Sequence, residues 1–287
     1  MKICRFDDDR LGIVKGDEVL DVTAALEVIP AQRWPIAPGD PLVGNLDRVL
    51  ERVRALEPTA SRRKIAGVQL KSPVANPTKI VNAPINYQAH IDEAKQDPGL
   101  GHGRKLGHIT EWGLFLKATS ALIGPGEEIR LRMPHRRNDH EIELAVVIGR
   151  ECRRATVANA LDFVAGYAIG LDMTVRGPEM PSWRKSLDTY AVCGPWLVTK
   201  DEVGDPGDLA LSLKVNGQTR QDSRTSRMVF NVPKLMEYAT GMYTLYPGDL
   251  IFSGTPEGVG PVQPGDVITA EIEKVGRFNV KVAAYEG

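Results

Sequence analysis

Cysteine is scarce in this chain of 287 residues: Cys4, Cys152 and Cys193 stand far apart, and no C-x-x-C pair occurs. An odd number of scattered thiols supports neither a disulfide framework nor a zinc knuckle, which leaves buried or incidental thiols. Long apolar runs are missing as well, and none approaches the roughly 18 residues that a membrane helix needs. Net charge is nearly absent, because 36 Lys and Arg face 37 Asp and Glu, for a formal −1. Without a basic excess there is no electrostatic footprint for a phosphate backbone, and without an acidic one no solvating tail. The start, Met1-Lys2-Ile3-Cys4-Arg5-Phe6-Asp7-Asp8-Asp9, has no apolar signal core and turns acidic at once. A cytoplasmic protein with neither a membrane nor a nucleic-acid partner is therefore the expectation. Two motifs are absent too. No Gly-Lys-Ser/Thr follows the glycine-rich run Gly254-Thr255-Pro256-Glu257-Gly258-Val259-Gly260, and no G-x-S-x-G elbow accompanies Asp139-His140-Glu141. This argues against P-loop nucleotide binding and a serine-hydrolase triad, and the glycine-rich run reads as a tight turn.

What the chain does have is turns. Gly (28) and Pro (20) together make up about 17% of the residues, above the usual 12% or so. Many turns imply many short strands. The length gives a soft expectation of two domains. Short strands are expected over 3–6, 11–14 and 18–22, followed by a helix over 46–56 whose apolar residues repeat at 3.6 periodicity behind Asn45. The proline-punctuated polar stretch that follows places a boundary near residue 75, between a small N-terminal domain (1–75) and a catalytic domain (76–287). In the second part, strands are expected over 79–82, 114–117, 128–131, 141–148, 164–172, 196–199, 209–215, 250–253, 267–273 and 278–284. Helices are expected over 87–96, 156–163 and from Asn231 through Ala239, with a mobile loop over 97–111. Asn216-Gly217 is a strong hairpin signal. Strands outnumber helices and few helices lie between successive strands, so an α+β, mostly β architecture is expected rather than a doubly wound parallel sheet.

Two carboxylates precede the apolar run Leu144-Ala145-Val146-Val147-Ile148. Alternation along a strand sends Glu141 and Glu143 to the same side. Two acids at the mouth of a buried strand lose hydration and repel each other, so they call for a cation. The next apolar run, 164–171, closes on Asp172. If the two strands are neighbours, three hard-oxygen ligands converge, which suits Mg²⁺ or Mn²⁺, or Ca²⁺ in their place, better than zinc. The spacing alone leaves open that these are solvent-facing edge acids. His90 and Glu93 sit three apart on the 87–96 helix, where a carboxylate can orient an imidazole for general-base work; a surface histidine with a chance neighbour fits the same spacing. Arg176, Lys185 and Asp188 follow Asp172 closely, and a lysine there could steady developing negative charge, although a solvated loop would look the same. Thr255, in the glycine-rich turn, is placed to touch a substrate carboxylate. His102, His108, His135 and His140 show no ligand spacing.

Taken in order, these pieces resemble the fumarylacetoacetate hydrolase family, from about Lys79 to Ala284. The segments are Asn86-Tyr87 with His90 and Glu93, Leu114-Phe115-Leu116-Lys117, Glu141-Ile142-Glu143 through Gly149, and Ala165-Gly166-Tyr167 with Asp172 and Arg176. Lys185-Ser186-Leu187-Asp188, Gly194-Pro195-Trp196, Val215-Asn216-Gly217, Pro247-Gly248-Asp249 and Gly254-Thr255-Pro256 complete them. The resemblance implies a mixed β-sandwich roll with a small N-terminal α/β domain, usually assembled as a homodimer. It implies Glu141, Glu143 and Asp172 as ligands of Mg²⁺ or Mn²⁺, His90 and Glu93 as a water-activating dyad, and Lys185 as the lysine that steadies an oxyanion. Tyr87, Arg176 and Thr255 would bind the substrate, a 2-oxo or 1,3-dicarbonyl acid. The implied activity is metal-dependent hydrolysis of a C–C bond in an acylpyruvate-type acid. Decarboxylation, isomerisation or hydration at the same site is one alternative, and metabolite binding without turnover another. The chain departs from the family pattern at Glu179, where an amide is usual, and at Ser253, where threonine is usual.

Overall fold

The computed structural model describes residues 1–101, 107 and 109–286. Three sheets carry the fold. The largest runs, in spatial order, through Arg62–Lys64, Glu18–Asp21, Arg10–Lys15, Lys2–Phe6, Ala191–Thr199, Val164–Asp172, Ile142–Ile148, Leu250–Phe252, Ile80–Asn82 and Phe115–Lys117. Just beyond Lys117, Leu122–Ile123 pairs in parallel with Ala191–Val192, so this half of the sheet curls back on itself into a roll. A five-stranded sheet is built from Gln218–Arg224, Ala210–Val215, Val267–Ile272, Gly276–Ala284 and Glu128–Leu131, and Asn138–His140 joins Thr174–Val175 and Gly260–Pro261 in a small third one. The architecture is the mostly β, mixed α+β roll that the strand count implied.

Ile142–Ile148 is the centre of the molecule. Every residue in it is buried, and both neighbours, Val164–Asp172 and Leu250–Phe252, are antiparallel to it. Its alternation divides two cores. Ile142, Leu144, Val146 and Ile148 pack with Ile169, Leu171 and the inner residues Leu211, Leu213, Ile268 and Ala270 of the five-stranded sheet. Ala145 and Val147 pack on the other side with Ala168, Leu250, Phe252 and with Val49 and Val53 of the helix Leu46–Leu56. That helix buries its apolar stripe there, as its periodicity required.

The N-terminal strands extend the large sheet rather than forming one of their own, since Lys2 and Ile3 pair with Val198 and Leu197. Near residue 75, one buried side chain ties two separate segments together. Asp40 Oδ1 accepts from the Leu42 and Val43 N–H groups, capping a short helix, while Oδ2 accepts from Ala75 N and Asn76 N at 2.9 Å each.

Several local expectations are met, and others are revised. Asn216 and Gly217 take the positive φ of a hairpin turn, at 50° and 81°. Asn231 accepts from Lys234 N and caps a helix over Val232–Met242. The helix expected over 156–163 is only a 3-10 turn, Ala160–Phe163. The Asn159 side chain accepts from Thr156 N at 2.8 Å and Ala160 N donates to Thr156 O, but the chain enters the strand Val164–Asp172 before a regular helix is established. The strand expected over 196–199 begins earlier, as Ala191–Thr199. The loop expected over 97–111 has short helices at its ends, Pro98–Gly101 and Ile109–Trp112, and most of the stretch between them, with His102 and His108, lies outside the described residues. Among the described residues, no helix is long and apolar enough to cross a membrane.

Candidate active site

Glu141 and Glu143 sit at the start of the central strand, and Asp172 closes its antiparallel neighbour. The ladder places Glu143 opposite Gly170, and Asp172 N donates to Glu141 O at 2.9 Å. All three carboxylates therefore fall on the face shared by Ala145 and Ala168. Small residues there make room. A Cβ at Gly170 would lie 3.1 Å from the Phe252 ring, so only glycine leaves the floor of the site undisturbed. One oxygen from each of Glu141, Glu143 and Asp172 lies within 4.8 Å of the others, and all three side chains are buried.

Basic groups crowd two of these acids. Lys185 Nζ donates to Glu141 Oε2, Asp172 Oδ2 and Thr174 Oγ1 at 2.6 Å each. Arg176 bridges Asp139 Oδ2 and Glu141 Oε1 at 2.7 Å. Lys117, wholly buried, donates to Asp172 and to Tyr190 O at 2.8 Å. Arg137 joins Asp139 to Asp97, so ion pairs run without a break from the end of the helix Gln88–Gln96 to the carboxylates. Burial alone would push Glu141 up, but the Lys185 ammonium and the Arg176 guanidinium outweigh it and hold its carboxyl well below the usual range. Glu143 is pushed far up, by burial first and then by the charges of Asp172 and Glu141. The Gly254 N–H, 2.6 Å from Oε2, compensates it only in part. Burial lowers Lys117, against the pull of Asp172. Three buried carboxylates, one of them destabilised as an anion, form a hard-oxygen donor set that fits Mg²⁺ or Mn²⁺.

The helix Gln88–Gln96 is brought to this cluster by Asn86. Its buried amide donates to Phe230 O and Ser253 O and accepts from Phe230 N, at 2.7–2.8 Å. Ser253 continues the strand Leu250–Phe252 beside Leu144, so Asn86 fixes the start of the helix to the edge of the site. On the helix, His90 Nδ1 is 2.9 Å from Glu93 Oε2, while Glu93 Oε1 accepts from Gly258 N at 2.9 Å. His90 is close enough to Glu141 for its charge to bear on that carboxylate. Tyr87, at the helix N-cap, is buried, its hydroxyl has no partner among the described residues, and burial followed by the charge of Glu143 pushes that hydroxyl up. Thr255 adjoins Gly254 and is buried, and its hydroxyl accepts from Gln221 Nε2 at 2.8 Å.

Of the nine residues singled out from the sequence, Lys185 and Arg176 contact the Glu141, Glu143 and Asp172 cluster, His90 and Glu93 pair on the helix fastened beside it, Thr255 follows Gly254, which donates to Glu143, and Tyr87 starts the helix. Asp188 stays outside the cluster, exposed and paired with Arg132. Glu179, where an amide is usual, is held by Arg136 in a two-pronged pair at 2.8 and 2.9 Å, which pushes it down to about 2. Lys117, Asp139 and Gln221 were missed. Lys117 shares the buried parity of Phe115 on its strand, and Asp139 shares the parity of Glu141 and Glu143; those are the signals that could have found them. Gln221 had none, because its partners come from distant segments.

The model of the fumarylacetoacetate hydrolase C-terminal domain matches residues 79–283. The chain is 53% identical to the maleylpyruvate hydrolase of Aquipseudomonas alcaligenes, over 98% of this chain and 99% of that one. It is 35% identical to the 2,4-didehydro-3-deoxy-L-rhamnonate hydrolase of Sphingomonas sp. (strain SKA58), over 99% of this chain and 97% of that one. A crystal structure of maleylpyruvate hydrolase from Sphingobium sp. SYK-6, in complex with manganese(II) ion and pyruvate, aligns with a TM-score of 0.84 at 39% identity and covers both chains in full. By sequence and by fold, the chain belongs to the fumarylacetoacetate hydrolase family.

Proposed function

We propose that this protein hydrolyses a C–C bond in an acylpyruvate-type acid, with maleylpyruvate as the leading substrate, in a divalent-metal-dependent reaction. The observation that carries the reading is the buried Glu141–Glu143–Asp172 cluster, with the His90–Glu93 pair pinned beside it, in a chain 53% identical end to end to a maleylpyruvate hydrolase.

Glu141, Glu143 and Asp172 hold the metal ion, which when bound supplies Lewis-acid polarisation of a 2-oxo carboxylate. The remaining chemistry belongs to the side chains. Glu93 accepts the His90 Nδ1–H and leaves Nε2 basic, so His90 takes a proton from water as the water oxygen adds to the distal acyl carbonyl. The C–C bond then breaks toward the pyruvyl fragment, which takes the electron pair. The proton held by His90 passes to that carbon, giving pyruvate and a carboxylic acid. Lys185 faces the developing negative oxygen, Arg176 and the Thr255 hydroxyl meet carboxylate oxygens, and the Tyr87 hydroxyl donates into the same space. Burial of His90, Lys185, Thr255 and the three carboxylates keeps these interactions in a low dielectric, where they are strongest.

The test is a panel of acylpyruvates followed by loss of enol absorbance, with Mn²⁺, with Mg²⁺ and with EDTA. Maleylpyruvate should yield equimolar maleate and pyruvate, and EDTA should abolish the reaction. Release of CO₂ without pyruvate would replace the hydrolase with a decarboxylase, and metal-dependent oxalate binding without any turnover would replace it with a binding protein. The same reading carries a cytoplasmic homodimer in which residues 1–75 brace a catalytic unit over 76–287. Cell fractionation and light scattering of the full chain check the first two.

A further inference from the structure

Gln221 is buried without residual exposure on the strand Gln218–Arg224, far in sequence from every residue of the proposed machinery. Its amide makes four close contacts. Oε1 lies 3.1 Å from Ile142 N and 3.2 Å from His140 Nδ1, while Nε2 lies 2.8 Å from Thr255 Oγ1 and 2.9 Å from Pro256 O. The orientation of the amide follows from the two backbone partners. The Ile142 N–H can only donate and the Pro256 carbonyl can only accept, so a flipped amide would set donor against donor and acceptor against acceptor. With Oε1 fixed as acceptor, the proton between it and His140 belongs to Nδ1. His140 Nε2 is buried and has no hydrogen-bond partner among the described residues.

The consequence falls on Thr255. A hydroxyl has one proton to give, and here its oxygen already accepts from the amide. The proton is thereby turned away from Gln221, and the donation strengthens the hydroxyl as a donor in its own right. Gly254, the preceding residue, donates to Glu143, so the backbone that carries Thr255 is fastened to the carboxylate cluster. Through Ile142, Gln221 also locks the 255–256 turn to the residue between Glu141 and Glu143. We infer that Gln221 is a positioning residue: it aims the proton of the Thr255 hydroxyl at the carboxylate of the 2-oxo acid and sets that hydroxyl at a constant distance from the metal ligands. His140 holds Gln221 in register. The inference rests on the proposed function, in which Thr255 receives that carboxylate.

Gln221→Glu keeps the shape of the side chain but replaces the donor with an acceptor, which would draw the Thr255 proton back. Pyruvate binding in the presence of Mn²⁺, measured by calorimetry, and the separate KM and kcat for an acylpyruvate give the readout. Q221E should weaken pyruvate binding and raise KM by about tenfold or more, the scale of a lost hydrogen bond to a charged group, with kcat changed less and Mn²⁺ affinity retained. Thr255→Val should show the same loss, and the double variant should add little to either single one. Gln221→Met, which removes both the donor and the acceptor, serves if Q221E does not fold, and its loss should likewise merge with that of Thr255→Val. Wild-type pyruvate affinity in these variants, or losses that add to those of T255V, overturns the positioning role. A wild-type protein that neither binds pyruvate with Mn²⁺ nor cleaves an acylpyruvate overturns the proposed function, and this inference with it.

Discussion

Glu143 and His90 divide the proposed chemistry between them. Among the described residues, Glu143 has neither lysine nor arginine as a hydrogen-bond partner, whereas Glu141 and Asp172 each meet a basic side chain. It is the carboxylate with most to gain from a divalent ion. Glu143→Ala is expected to weaken Mn²⁺ binding by at least about 100-fold, since even outer partners of a ligand are worth about 10–100-fold; calorimetric titration of the folded variant checks it. His90→Ala should leave Mn²⁺ binding near the wild-type value and lower kcat by about 10²–10⁴-fold, the usual contribution of a general base. Hydrolysis by that variant at the wild-type rate would remove His90 from the base role. Both residues were legible in the sequence, one from two-residue strand spacing and the other from i,i+3 helix spacing. Gln221 was not, because a lone glutamine in a strand looks the same whether it meets solvent or a buried partner.

At the scale of elements, the site depends on how the helix Gln88–Gln96 meets the strand Leu250–Phe252. Its apolar content is modest, and the hydrogen bonds at its start and end do much of the fastening. Asn86→Ala leaves Phe230 N, Phe230 O and Ser253 O without their side-chain partner in a largely buried setting. A loss of about 2–4 kcal/mol in unfolding free energy is expected at about 1 kcal/mol or more per bond, readable as a lower denaturant midpoint. Hydrogen exchange in residues 88–96 should rise more than in the central strand Ile142–Ile148. The 156–163 segment begins one helical turn, with Ala160 N donating to Thr156 O, but passes into the strand Val164–Asp172 before a regular helix is established.

The whole molecule stores several titratable groups away from water. Burial pushes the Cys4 and Cys193 thiols and the Tyr190 hydroxyl up to about 12. Each stays protonated in the folded chain while its unfolded counterpart ionises at an ordinary value, near 9 for a thiol and 10 for the phenol. Their contribution is fully present below those values and is lost as pH rises from about 9 toward 12. The denaturant midpoint is therefore expected to fall steadily from pH 8.5 to about 11, and less steeply in Cys4→Ala. A midpoint flat across that window would show that these groups titrate alike in both states. Native protein should also react slowly with thiol reagents, because all three cysteines are buried.

By itself, the sequence determined most of the strands, the hairpin at Asn216-Gly217, the amphipathic helix and the pairing of like parity that sends Glu141 and Glu143 to one face. These follow from local periodicity and turn chemistry, which act within a few residues. The tertiary structure decided that Val164–Asp172 lies beside Ile142–Ile148 in the register that brings Asp172 to Glu141. It decided that the sheet curls until Lys117 reaches Asp172, and that a glutamine from the outer hairpin closes on Thr255. Those contacts span from 31 to 79 residues of chain, as between Glu141 and Asp172 and between Gln221 and Ile142. They arise only when both cores form on the two faces of the central strand, because the burial of those faces, and not any local preference, fixes the register. The nearly neutral charge of the chain conceals the result: four carboxylates and four basic side chains gathered in one interior, where their placement and not their sum makes the site.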